Sequence, residues 1–296
     1  MLAIRTKKSL FTIYPEHGMQ WGSLAFESRG TLVDVLSGWK PGEEFFRSGC
    51  FCMFPWVNRL ENPPYPLNDC VKDANGIPLH GLVFRKSWKV LAQNSDFLRL
   101  GLEWKATRKI PSRNTEDRFQ LEAIYKLGES RLSVDLRIQN LSDHSTEFST
   151  GFHPYFRLGK DFPFLELPRS EEIHLNPANL LPVKDSRGFL SVNGKLEDRR
   201  ISVQEQSLDH LFRQRNGIHV VLENPENGWK ILLDSSVESN VYQYVQIYTP
   251  DDGNSIAIEP MNFAGNYLEF PNEGIPALLA REEKKYNFCI HFFSET

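Results

Sequence analysis

Five polar sites in this 296-residue chain stand in apolar or aromatic surroundings. They are Asn58-Arg59, which follows Phe54-Pro55-Trp56-Val57; His80 in Leu79-His80-Gly81; His153 in Gly151-Phe152-His153-Pro154-Tyr155-Phe156; Asp209 in Leu208-Asp209-His210-Leu211-Phe212; and Glu259 in Ile256-Ala257-Ile258-Glu259-Pro260-Met261. A charge beside bulky apolar residues needs a partner, because unpaired burial is costly. His153 is the most informative of them. Pro154 fixes its own φ and pushes His153 towards an extended backbone. Proline rarely occupies a central strand, so His153 is expected at a strand end or on an edge. Its imidazole changes charge near neutral pH without help, which suits it to moving protons. Glu259 repeats the arrangement, a carboxylate ending an apolar run before a proline.

Each site also has a purely structural reading. His153 can pack in a core among Phe152, Tyr155 and Phe156. Arg59 can pair with Glu61 at a surface turn, and His80 can satisfy a backbone carbonyl. Asp209 can start a helix, and Glu259 can be a solvated strand end. Competing chemistries lack their motifs. The chain has no G-x-x-x-x-G-K-[ST] loop, no G-x-S-x-G elbow and no H-E-x-x-H or paired Cys/His zinc spacing. Asp251-Asp252-Gly253-Asn254 lacks the alternating ligands and closing glutamate of a calcium loop and is expected to be a hairpin turn. Cys50, Cys52, Cys70 and Cys289 form no C-x-x-C pair, so free buried thiols are expected.

The elements that must position these residues read as strands. Leu132, Val134, Leu136 and Ile138 alternate with polar residues, as do Leu98 to Trp104 and Phe119 to Tyr125. That is the period of a half-buried strand. Trp229 to Leu233, Val241 to Tyr248 and Tyr286 to Phe293 read likewise, with turn signals at Leu127-Gly128-Glu129-Ser130 and Asn193-Gly194. Helical periodicity is confined to a short candidate at Glu205 to Phe212. Asn62-Pro63-Pro64-Tyr65-Pro66 is expected to be a loop, Lys105 to Asp117 a long exposed loop, and Asn176 to Leu190 an irregular stretch. Asn140-Leu141-Ser142 reads as a strand-end turn rather than a glycosylation acceptor. Many strands at hairpin spacing argue for an antiparallel sandwich. No repeat or linker divides the chain, so residues 1–296 are expected to form one domain.

Composition sets the outer bounds. Hydrophobic residues make up 40% and charged residues 24%, an ordinary globular balance that supplies a sizeable core. The net charge is −4 with both signs interspersed, so nucleic acid is not an expected partner. The first residues do not read as a signal peptide, and no apolar run approaches the ~20 residues of a spanning helix. A soluble, cytoplasmic protein without membrane partners is the expectation.

Taken in order, these segments carry a resemblance. Asn58-Arg59, Leu79-His80-Gly81, the His153-Pro154-Tyr155-Phe156 segment, Asp209-His210-Leu211-Phe212, Glu259-Pro260 and the region from Gly265-Asn266 to Gly274 resemble the aldose 1-epimerase (galactose mutarotase-like) superfamily over nearly the whole chain. The resemblance implies an all-β fold, a large antiparallel β-supersandwich with few short helices and a sugar cleft on one concave sheet. It implies a cofactor-free, metal-free isomerase acting on a small sugar, as a monomer or homodimer. Glu259 looks like the general base and His153 the general acid. His80, Arg59 and Asp209 look like groups that hold sugar oxygens, with Asn58 beside them. Such a mechanism asks for an ionised Glu259 and a protonated His153.

Relatives acting on hexose 6-phosphates carry two arginines. Arg47 matches the first. The second position is Phe84 here, with Arg85 one residue later. On a strand that shift reverses the side chain's direction. A free hexose such as galactose or glucose is therefore favoured over a hexose 6-phosphate. A non-catalytic sugar-binding protein on the same fold is a further alternative.

Overall fold

The computed structural model describes residues 1–68, 70–110, 113–159, 163–186, 188–203, 207–226, 228–235 and 240–294. Period-two alternation becomes one long antiparallel sheet. Its back layer runs Lys89–Gln93, Phe97–Ile110, Arg113–Gly128, Arg131–Asn140, Glu283–Ser294, Trp229–Asp234, His219–Asn224 and Phe164–Ile173. The strand Phe164–Ile173 then changes partners. Its first residues pair with His219–Asn224 and its last, Glu171 to Ile173, with Asp209–Arg213. From there the front layer continues through Tyr244–Tyr248, Ser255–Met261, Gly151–Phe152 and Cys52–Met53. The apolar phases of the two layers meet in the core, where Phe152 packs on Phe288 with ring centroids 5.2 Å apart.

A four-stranded N-terminal sheet, Leu2–Arg5, Ser9–Tyr14, Gln20–Ser28 and Thr31–Asp34, extends this core. Phe11 packs on Tyr125 at 5.2 Å and Phe26 stacks on Phe292 at 5.1 Å. Helix among the described residues is limited to the short 3-10 turns Pro15–His17, Tyr267–Glu269 and Pro271–Glu273. The sandwich expected from the strand pattern is the observed fold, and no described helix is long and apolar enough to cross a membrane.

Two local expectations are overturned. The segment expected to be helical, Glu205 to Phe212, contributes a strand, Asp209–Arg213, with residues 204–206 outside the described set. It is paired on both sides, to Tyr244–Tyr248 and to Glu171–Ile173. Central-strand pairing and the burial of Leu211 and Phe212 outweigh a weak local propensity. Lys105 to Asp117, expected as a loop, is most of a hairpin whose register runs unbroken from Phe97↔Lys126 to Ile110↔Arg113; Pro111 and Ser112 lie outside the described residues. Its polar residues are cross-strand partners rather than loop markers. Arg118 meets Glu103 at 3.2 Å, and fully buried Asp117 accepts from the Tyr65 hydroxyl at 2.7 Å.

Other readings agree with the structure. Asp251 to Asn254 is the turn between Tyr244–Tyr248 and Ser255–Met261. Asn140 ends its strand with its amide buried against the carbonyls of His144, Leu278 and Leu279. All four cysteines are free, although Cys70 is only partly buried.

Candidate active site

Strand register assembles the centre. The Ser255–Met261 ladder pairs Met261 with Gly151, and then Ala257 with Tyr155, so His153 falls opposite Glu259. On the other side Glu259 pairs with Gln246. His153, Glu259 and Gln246 therefore form a row across one face of the front layer. One step along, Tyr155, Ala257, Tyr248 and Asp209 form a parallel row on that face. Pro154 and Pro260 both lack an N–H and lie in the seam between these strands, which frees the backbone around His153 from a regular ladder. His153 lies at a strand end, as expected, in the break between Gly151–Phe152 and Tyr155–Arg157. Glu259, for which a solvated strand end was the structural alternative, is interior to its strand and 2% exposed.

The other face of the pocket comes from two zipped segments. The His80 N–H donates to the Asn58 carbonyl at 2.8 Å and the Leu60 N–H to that of Pro78 at 3.0 Å. Asn58 (φ +46°) and His80 (φ +59°) both adopt the left-handed region, where Asn and His are enriched and where strain often marks a functional site. At Gly81 (φ +76°) a Cβ would lie 2.1 Å from the Phe54 carbonyl oxygen, so only glycine permits this approach. Arg59 does not pair with Glu61. Its Nε donates to Asp73 at 2.8 Å and its guanidinium to the Asn58 amide oxygen at 3.0 Å. The structure thus brings Asn58, Arg59, His80, His153, Asp209 and Glu259 around one cavity of about 190 Å³. That is the volume of about six waters, the scale of one monosaccharide.

At its base, His153 Nε2 lies 3.1 Å from Glu259 Oε1. The imidazole is sandwiched between Phe51 at 4.9 Å and Tyr155 at 4.7 Å, both nearly parallel to it. The Tyr155 hydroxyl is itself anchored on the Phe46 carbonyl. The edge of the His80 ring meets His153 at 5.2 Å, and His80 Nδ1 contacts Met53 Sδ at 3.2 Å. Burial pushes the His153 pKa down to about 3 and that of His80 well below its ordinary value. Burial also raises the Glu259 carboxyl well above the carboxylate range, and the Asp209 charge adds to this. Burial therefore favours a neutral pair, against the protonated histidine and ionised carboxylate that the resemblance asks for. The two states differ only by moving one proton across a 3.1 Å contact.

Three polar atoms here are buried without a partner among the described residues: His153 Nδ1, Glu259 Oε2 and Gln246 Oε1. Such orphans are costly, and all three belong to residues that line the cavity. Gln246 also donates to Asp209, whose carboxyl is raised by burial against the pull of Arg59 and of this bond.

Gln246, Tyr155, Tyr248 and Asp73 were not among the residues singled out from sequence. A glutamine amid Val245, Ile247 and two tyrosines is a detectable signal, because only its polar group breaks a buried run. Asp73 carries none, since it sits in a turn. Burial works to raise its carboxyl, but the Arg59 hydrogen bond and the amides of Ile77 and Asn75 hold it below its ordinary value. Asp73→Asn is expected to loosen Arg59 and raise KM about tenfold, roughly 1.4 kcal/mol of lost positioning, with little change in kcat. Steady-state kinetics unchanged in both constants would show that Arg59 is oriented without it.

The family model for aldose 1-epimerase matches residues 2–286. This chain belongs to the aldose 1-epimerase family. The uncharacterized Escherichia coli protein YihR is 23% identical over 265 residues, 82% of this chain and 78% of that protein. Two solved structures share the fold at low identity. The GalM/aldose epimerase homologue from C. elegans has a TM-score of 0.77 at 14% identity, covering 100% of this chain and 99% of that one. A galactose mutarotase-like protein from Clostridium acetobutylicum has a TM-score of 0.74 at 16% identity, with 99% and 95% covered.

Proposed function

We propose that this epimerase-family protein is an aldose 1-epimerase that interconverts the α and β anomers of a free hexose, galactose or glucose being the first candidates. The observation that carries the reading is the buried His153–Glu259 contact of 3.1 Å at the floor of a monosaccharide-sized polar cavity. Opening the hemiacetal requires removal of the C1-hydroxyl proton and delivery of a proton to the ring oxygen. Both oxygens are bonded to C1, so an acid and a base set close together can serve them. Entry of the sugar separates the pair and shifts its proton to His153, leaving Glu259 ionised. Glu259 then takes the C1-hydroxyl proton while His153 protonates the ring oxygen. The aldehyde rotates about C1–C2 and closes on its other face, with the two groups reversing roles. Neither a covalent intermediate nor a cofactor is needed for this sequence. Arg59, His80, Asp209 and Asn58 hold the remaining oxygens.

Neither Arg47 nor Arg85 lines the cavity, which supports a neutral sugar. Phe84 is buried and Arg85 exposed, in a turn rather than on a strand, with the guanidinium over the Phe45, Phe46 and Phe84 rings at 5.4–5.8 Å. Arg47 is half exposed and spent on Glu44 at 2.8 Å. Exchange NMR on glucose, galactose and their 6-phosphates tests this directly. Acceleration of a free hexose is expected. Acceleration of the phosphate alone would move the assignment to a hexose-6-phosphate 1-epimerase, and binding without acceleration of any sugar would make it a carbohydrate-binding protein.

A further inference from the structure

On the opposite, outer face of the sandwich, three metal-ligating side chains converge. Cys289 and His291 lie two residues apart on Glu283–Ser294 and so share a face. Cys289 is directly cross-strand from Asp234, the last residue of Trp229–Asp234. One ligand atom from each of the three lies within 4.8 Å of the other two. The Phe288, Ile290 and Phe292 side chains of the same strand point the other way into the core, which separates this cluster from the sugar pocket. We infer that Asp234, Cys289 and His291 form a binding site for a zinc-like divalent transition-metal ion.

The donor set selects the ion. Thiolate and imidazole suit a borderline ion such as Zn²⁺, whereas magnesium and calcium need an oxygen shell that one carboxylate cannot supply. The geometry needs little change. His291 Nε2 is already 3.0 Å from Asp234 Oδ1, and tetrahedral zinc spaces such ligand atoms roughly 3.3–3.6 Å apart. Charge also closes, since a thiolate and a carboxylate neutralise a divalent cation. Access is graded: Cys289 is 8% exposed, while the Asp234 and His291 side chains are 35% and 28% exposed. The fourth position is open to water or to His219, which pairs with Asp234 on its other side in the ladder and on the same face. Two neighbours modulate the site. Arg131, cross-strand from His291, opposes a cation and favours the thiolate, and Ser133 flanks Cys289. Binding displaces the thiol proton, because the metal takes the thiolate.

Titration of the purified full chain with Co²⁺, followed by Zn²⁺ competition, tests the site. One equivalent is expected, with a thiolate-to-cobalt charge-transfer band, release of a proton and displacement by Zn²⁺. Cys289→Ser and His291→Gln should each weaken binding at least tenfold and Cys289→Ser should abolish the band. Cys70→Ser, which removes the other partly accessible thiol, should change nothing. Mutarotation should be unaffected in all three. Binding equal in Cys289→Ser and the unmutated protein, or lost in Cys70→Ser, overturns the assignment. So does a properly folded unmutated chain, judged by its circular dichroism, that shows no thiolate band.

Discussion

Glu259→Gln should lower kcat for mutarotation by roughly 10²–10⁴-fold, the usual contribution of a positioned acid or base, while leaving the protein folded and able to bind sugar. The amide fills the carboxylate's space between His153 and Gln246 but cannot take a proton from the C1 hydroxyl. Because burial already penalises the charge of Glu259, the variant should melt no lower than the unmutated chain. Adding His153→Gln should cost little more, since groups that act as a unit are not additive. Polarimetry on fresh α-glucose, with calorimetry for binding, separates these effects. A variant that relaxes the sugar as fast as the parent protein rules out the mechanism.

The second large effect is one of pH and stability, concealed in the unmutated chain. The folded His153 pKa of about 3 lies below its unfolded value near 6.5. A depressed pKa confers stability above the unfolded value that is lost as pH falls. The folded Glu259 pKa lies above its unfolded value of 4.5. A raised pKa confers stability that is complete below the unfolded value and lost as pH rises. Between pH 4.5 and 6.5 the neutral folded pair and the charged unfolded groups hold the same number of protons. Their contributions therefore cancel, and this pair makes stability flat there.

Breaking the pair exposes each slope. In Glu259→Gln, His153 alone should reduce stability by about 1.4 kcal/mol for each pH unit below 6.5. In His153→Gln, Glu259 alone should increase it on acidification by a similar amount. His80, also depressed by burial, adds an acid-side loss to every variant. The difference between the two variants is therefore the measurement, read from urea midpoints at several pH values. Parallel curves for both would mean that neither group is held in its neutral form.

How much of this was legible in the residues varies with the physics. Strands with one polar face were plain at Leu132 to Ile138, because a strand whose two faces meet different surroundings imposes alternation whatever its neighbours are. The Phe97–Gly128 hairpin was obscured because its polar residues satisfy one another across the ladder, and Lys105 to Asp117 then resembles a solvated loop. Asp209 to Arg213 was obscured for the converse reason, since its strand state is imposed by partners on both sides. Of the site, His153 and Glu259 were conspicuous as polar groups before prolines in apolar runs. Gln246 was legible as the one polar group in a buried run, whereas Asp73 hid in a turn fourteen positions from Arg59.

The amino-acid order alone determined the strand-rich class, the family resemblance and the six polar candidates, because these depend on side-chain type and short-range period. It left three matters to the folded chain. Register sets Glu259 between His153 and Gln246, and register depends on strands far apart in sequence. Burial decides that the resting pair is neutral, since desolvation depends on what is packed above it. Pairing decides that Arg59 answers to Asp73 and that Asp234 meets Cys289 and His291. Each is a property of separation in space, which local residue pattern does not contain.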